Sequence, residues 1–131
     1  MESFQAPVAL LARLFLAYIF VMEGWDKIAD YAGTGSYMES NGVSARLLPL
    51  VILTELGGGI LIAMGFMTRY AALALAGFCL LTALLFHTDF GNLEQLIHFN
   101  KNIAIAGGFL ALIAFGPGAF SVDEWRKRDE R

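Results

Sequence analysis

The stretch PLVILTELGGGILIAMG, residues 49–65, is apolar over nearly its whole length, yet a carboxylate, Glu55, stands near its middle. With its flanking Leu and Met residues the run extends over 47–67. A helix of about 20 mostly apolar residues matches the hydrocarbon thickness of a bilayer. The stretch therefore reads as a membrane span, and Glu55 as a charge that needs a partner inside it. The rest of the chain agrees. Hydrophobic residues make up 57% of the 131 and charged residues 16%, against roughly 45–50% and 25% in soluble domains. The mean hydropathy is +0.61.

Three further runs have the same character, at 7–28, 70–87 and 96–116. Each is apolar nearly all round, which suits lipid on one side and helix neighbours on the other. As soluble buried helices, four such runs in so short a chain would lack polar surface to cover them. The expected fold is all-α: one domain, residues 1–131, forming a membrane-embedded antiparallel four-helix bundle. Residues 29–46 form a Gly- and Ser-containing loop with a short helix at 35–40. Thr68 and Arg69 form the turn between the second and third spans. Gly116, Pro117 and Gly118 stop the fourth, and a charged tail follows at 119–131. The first run has no Lys or Arg before it and no small-residue cleavage site after it, so it reads as a retained helix rather than a leader. Arg69, Arg126, Lys127, Arg128 and Arg131 fall on the side of the termini. The positive-inside rule puts that side, and both termini, in the cytoplasm. Trp25 and Trp125 then serve as anchors at opposite interfaces.

With each run centred on the bilayer, helix rise sets depth. Glu55 lies roughly 3 Å to the outside of the middle, Glu23 and Lys101 about 8 Å, and Arg13 about 7 Å to the inside. His87 and His98 close and open their helices near the outer interface, beside Asn100 and Asn102. An unpaired charge at the centre costs roughly 2.5–3.5 kcal/mol. Glu55 is therefore expected to pair with Lys101 or Arg13, Lys101 being preferred. Gly57, Gly58, Gly59, Gly107 and Gly108 permit close backbone approach there. Plainer roles compete. Glu23 and Lys27, four apart, can pair with each other. Lys101 can snorkel to headgroups, and Glu55 with Arg13 can be a staple of topology. Cys79, the one cysteine, reads as a small apolar packer. The chain lacks a phosphate-binding loop, a nucleophile elbow, a CxxC pair and a metal-ligand cluster. Nor does it carry a basic cluster with interleaved aromatics, so a nucleic-acid partner is not expected. The lipid bilayer is, and the Gly-rich faces are compatible with a homodimer.

These motifs have a familiar order. ARLFLAYIFVMEGWDKI, ELGGGILIAMGFMTRYAALAL and FNKNIAIAGGFLALIAFGPGAFSVD resemble the successive motifs of the DoxX family of small bacterial inner-membrane proteins. The resemblance covers nearly the whole chain. It picks out Arg13, Gly24, Lys27, Glu55, Arg69, Lys101 and Asp123 by position. Glu23 and Asn100 depart from the commoner pattern, where small or apolar residues and Glu respectively are usual. The resemblance implies a four-helix protein of the inner membrane linked to quinone-dependent oxidation, as a redox protein or as the membrane subunit of an oxidoreductase. On that reading Glu55 and Lys101 are the candidate chemical pair, for proton relay or for hydrogen bonding to a quinone. His87, His98, Arg13, Glu23 and Asn100 are candidate ligand-binding residues. A quinone is the candidate cofactor and a redox enzyme the candidate partner. Haem is disfavoured, for want of a ligation signature. A non-catalytic scaffold that holds a partner through its tail, and a small-solute carrier, are the competing functions.

Overall fold

A computed structural model describes residues 2–131 of the chain, and side chains from Phe4 onward. It is all-α. Among the described residues four helical segments are long and apolar enough to cross a membrane: Phe4–Ala29, Ala45–Met64, Thr68–Phe86 and Leu93–Phe115. The first belongs to α1 (Glu2–Ala29). A short α2 (Tyr31–Ser40) follows, capped by Asp30, whose carboxylate accepts from Gly33 N. The second span is composite. A 3₁₀ turn, Ala45–Leu47, leads into α3 (Leu48–Ile52), then a π-helical turn, Leu53–Gly57, then α4 (Gly58–Met64). The third and fourth spans are α5 (Thr68–Phe86) and α6 (Leu93–Phe115), and α7 (Val122–Asp129) ends the chain.

Several boundaries differ from expectation for local reasons. The turn before α5 is Gly65–Met67, not Thr68–Arg69. Gly65 takes a left-handed conformation (φ +70°) that ends α4. Thr68 instead opens α5, because its amide and hydroxyl donate to the Asp123 carboxylate. The loop helix spans ten residues rather than six, started by the Asp30 cap. The tail is helical, with Ser121 Oγ accepting from Glu124 N at 3.3 Å. The expected stop at residues 116–118 coincides with the end of α6 at Phe115.

Packing follows the small residues. α1 lies along α4 and the π turn, and α5 along α6. Ile62, Leu75, Cys79 and Phe109 are fully buried among Ala17, Ala71, Ala72, Ala76 and Ala106. Phe20 and Phe109 meet with ring centroids 5.4 Å apart. Of the glycines singled out, Gly58 faces Leu75, Gly59 faces Phe20 and Val21, and Gly108 faces Leu16; Gly57 and Gly107 are not close-approach positions. The outward faces stay apolar. Phe15, Tyr70, Leu73, Leu84 and Phe115 are each more than 60% exposed. Soluble monomers rarely expose so continuous an apolar surface; lipid covers it without penalty.

At one end of the spans the chain is knotted by polar contacts. Arg13 is fully buried. Its guanidinium donates to the carbonyls of Ile62 and Ala63 at 3.2 Å each, and to that of Phe120. The first two are among the last carbonyls of α4, where the regular helical pairing runs out; Ile62 O also accepts from Gly65 N at 3.2 Å. Asp123 accepts from Met67 N at 2.8 Å, Thr68 N at 3.0 Å and Thr68 Oγ1 at 2.8 Å. Its own amide donates to Gly65 O. Arg69 Nε donates to Ile113 O at 3.0 Å.

Candidate functional site

Glu55 sits inside the π turn, where one extra residue widens the helix and re-aims the side chains around it. It is 3% exposed. Opposite it lies the last turn of α1. Gly24 makes that approach close, since a Cβ added there would stand 2.9 Å from Leu56 Cβ. One turn beyond Gly24, Lys27 reaches across, and its Nζ lies 2.8 Å from Glu55 Oε1 and 3.3 Å from Glu23 Oε2. Lys27 is therefore the cation of Glu55, and the expected pairing with Lys101 or Arg13 does not occur. Arg13 is engaged with helix-end carbonyls, and Lys101 makes no ion pair among the described residues. The Glu23–Lys27 contact expected from their spacing is present, and Lys27 bridges two carboxylates. The bridge is uneven. The contact with Glu55 is the shorter and the more buried of the two: the Glu55 side chain is 4% exposed and that of Glu23 53%.

This pair forms one wall of a cavity of about 870 Å³. Glu23, Glu55, His87, His98 and Lys101 all line it, with Lys27 between the first two. Arg13 and Asn100 do not; Asn100 is exposed on α6. The two imidazoles lie roughly parallel, centroids 5.0 Å apart and planes inclined by 29°. His87 Nδ1 is 2.8 Å from Gln95 Oε1, and His98 Nε2 is 3.8 Å from Glu94 Oε1. Rings so close and so nearly parallel leave no room for a porphyrin between them, so the pair does not fit axial ligation of haem. Among the described residues no group of three or more His, Cys, Asp or Glu side chains is placed to hold a metal ion. The remaining wall is apolar and aromatic, with Phe20, Phe78 and Phe86 prominent. α2 roofs it, and its Tyr37 stacks on Phe86 at 5.6 Å. A cavity of several hundred Å³ with an apolar wall and a few convergent polar groups is the usual form of a small-molecule site.

The DoxX family model matches residues 8–88. Over 123 residues the chain is 50% identical to inner membrane protein YqjF of Escherichia coli strain K12, covering 94% of this chain and 95% of that one. It is 38% identical over 125 residues to inner membrane protein YphA of the same organism, covering 89% of each. No solved structure matches. The matched residues 8–88 carry the Gly24, Lys27 and Glu55 positions around which the cavity is built, and the chain belongs to the DoxX family.

Proposed function

We propose that this protein is a multi-pass protein of the bacterial inner membrane, an antiparallel bundle with both termini cytoplasmic, whose cavity binds the headgroup of a quinone or quinol for a partner oxidoreductase. The names of the two relatives support the membrane assignment, and the basic residues beside the termini support the orientation. One observation carries the ligand reading: Glu55 and its bridging Lys27 face, in one cavity, the separate donors His87, His98 and Lys101. A planar dicarbonyl headgroup asks for donors on both sides and an apolar seat between, and Phe20, Phe78 and Phe86 supply the seat. A bound quinone would contribute the two-electron, two-proton couple, with its electrons exchanged through the partner enzyme. Within the chain, Lys27 and Lys101 donate hydrogen bonds, Glu55 beside Lys27 takes up or releases a proton, and α2 limits entry of water.

The test is direct. Protein purified in mild detergent is extracted for quinones, and its binding of a short-chain ubiquinone analogue is titrated. Quinone near one equivalent, with binding at least about tenfold weaker in Glu55→Gln, is expected. Absence of both quinone and analogue binding overturns the reading.

A further inference from the structure

The cavity has two unlike sides. α1 and α6 give it polar groups, among them Glu23, Lys27, His98 and Lys101. The side formed by α3 and α5 is chiefly hydrocarbon, with Leu50 and Val51 on one helix and Phe78 and Leu81 on the other. α5 packs along α4 and touches the π turn, but it makes no comparable contact with α3. The second and third spans therefore part as they leave the Arg13 knot. Leu50 and Leu81 stand at that parting. They line the cavity, yet they are 59% and 55% exposed. The apolar liners from α1 and α6, Ile19, Phe20 and Ile105, are not exposed. Each of the two leucines lies about 7–8 Å inside the end of its span, at the depth of hydrocarbon rather than headgroups. Towards water, the stack of Tyr37 on Phe86 ties α2 to the end of α5 and covers the gap. The gap thus opens sideways, into lipid. Left empty, its walls would forgo their dispersion contacts.

We infer that the cavity is filled from within the bilayer, between α3 and α5, and that it takes an amphiphile: a polar headgroup against the α1–α6 side and a hydrocarbon chain that leaves between Leu50 and Leu81. The inference rests on the cavity being a ligand site, as the preceding reading does, and not on the headgroup being a quinone. With no such ligand bound, an acyl chain of a neighbouring phospholipid occupies the gap. A headgroup without a chain does not need the gap, and reaches the polar side past Glu23 and Lys101, which are exposed. Narrowing the gap therefore excludes the chain and spares the headgroup.

Leu50→Trp and Leu81→Trp, made together, narrow the gap. Leu84→Trp, at a similarly exposed position of α5 outside the cavity, is the control. The full chain is placed in nanodiscs containing a phosphatidylcholine with a mid-chain diazirine. Light should join that lipid to Val51 and Phe78, inside the gap. Most of this labelling should be lost in the double variant and kept in Leu84→Trp. Labelling confined to outward residues such as Leu73, or labelling in the gap that the folded double variant leaves unchanged, overturns the inference whether or not a quinone binds. Should the double variant not fold, the wild-type label alone decides. Affinity is then compared for decylubiquinone and for the same ring without the chain, each as a ratio to wild type, which cancels partition of the chain into lipid. The double variant should weaken the first at least about tenfold and the second less than about twofold. Equal loss of both, or loss of neither, overturns the inference. Lipid label in the gap with no binding of either quinone removes the quinone reading and leaves this one standing. Binding of both quinones that the double variant does not alter, with no label in the gap, does the reverse.

Discussion

Lys27 touches two carboxylates, and the difference in their burial decides which contact matters. The Glu23 side chain is 53% exposed and that of Glu55 only 4%. An exposed pair four residues apart on a helix contributes at most about 0.5 kcal/mol. A buried carboxylate deprived of its cation pays the full penalty of an unpaired charge. Lys27→Met should therefore destabilise the protein by about 2–3 kcal/mol, near the cost of placing a lone charge in the bilayer interior. Glu23→Gln should cost less than about 0.5 kcal/mol. Lys27→Met combined with Glu55→Gln should be less damaging than the sum of the singles by about 1–2 kcal/mol, at the upper end of polar couplings measured in bilayers. Thermal unfolding in detergent measures all four proteins. Strict additivity would mean that Lys27 and Glu55 do not hold each other. The corresponding cycle with Lys101 should be additive, since Lys101 forms no ion pair with Glu55.

The second span is where the chain was least legible as a row of elements. Its length and apolar character are plain in residues 47–67, and so is the break at Gly116–Gly118; the break at Gly65 was not, and the turn was placed three residues late, at Thr68–Arg69. What hydropathy does not carry is register. Aligning the middle of every apolar run with the middle of the bilayer sets Lys27 roughly 14 Å outward and Glu55 roughly 3 Å, a separation that hides the pair. The register is set instead by packing: Phe20 and Val21 meet Gly59, and Gly24 meets Leu56. The π turn then re-aims Glu55 towards the end of α1, and no propensity marks a π turn beforehand. The cluster of Glu23, Glu55, His87, His98 and Lys101 was visible because all of them lie on the same side of the run midpoints. The place of Arg13 was not, because its partners are carbonyls, which the sequence does not distinguish. Lys27 was marked by its spacing from Glu23 and by its match to a family motif, neither of which points to Glu55. Gly24 now has a specific consequence. Gly24→Val puts a branched side chain against Leu56, whose backbone nitrogen would lie 3.0 Å from the new Cβ. Overpacking of this kind costs about 1–3 kcal/mol. It should also part Lys27 from Glu55, so binding of the quinone analogue should fall in Gly24→Val well beyond what the fraction unfolded explains. Gly107→Ala, with open space at its Cβ, should be silent in the same assays.

Across the whole molecule, the polar knot at the Arg13 end and the cavity at the Lys27 end divide the work. The proposed topology puts the knot on the cytoplasmic side and the cavity towards the periplasm. In intact cells an impermeant maleimide should then label Asp89→Cys, in the exposed loop before α6, and should label Asp129→Cys, at the end of α7, only after lysis. The native Cys79 is fully buried and gives no background. The reverse pattern would turn the bundle over. The knot itself should respond to acid. Asp123 is partly buried, which by itself opposes ionisation, but three donors from Met67 and Thr68 outweigh that, aided by Lys127, and hold its carboxyl below the usual range. A carboxylate whose folded value is depressed favours the folded state fully only above its unfolded value of about 3.9, and that contribution drains away as pH falls through the lower, folded one. Asp123→Asn keeps an acceptor but has no charge to lose. At neutral pH it should cost about 1–3 kcal/mol, as a charged hydrogen-bond acceptor does, and α7 should become more open to protease. Between about pH 5 and pH 3 the wild-type melting temperature should fall towards that of the variant, so that the two curves converge. A gap that stays constant or widens in acid would mean that Asp123 holds α7 to the α4–α5 turn by shape alone, without help from its charge.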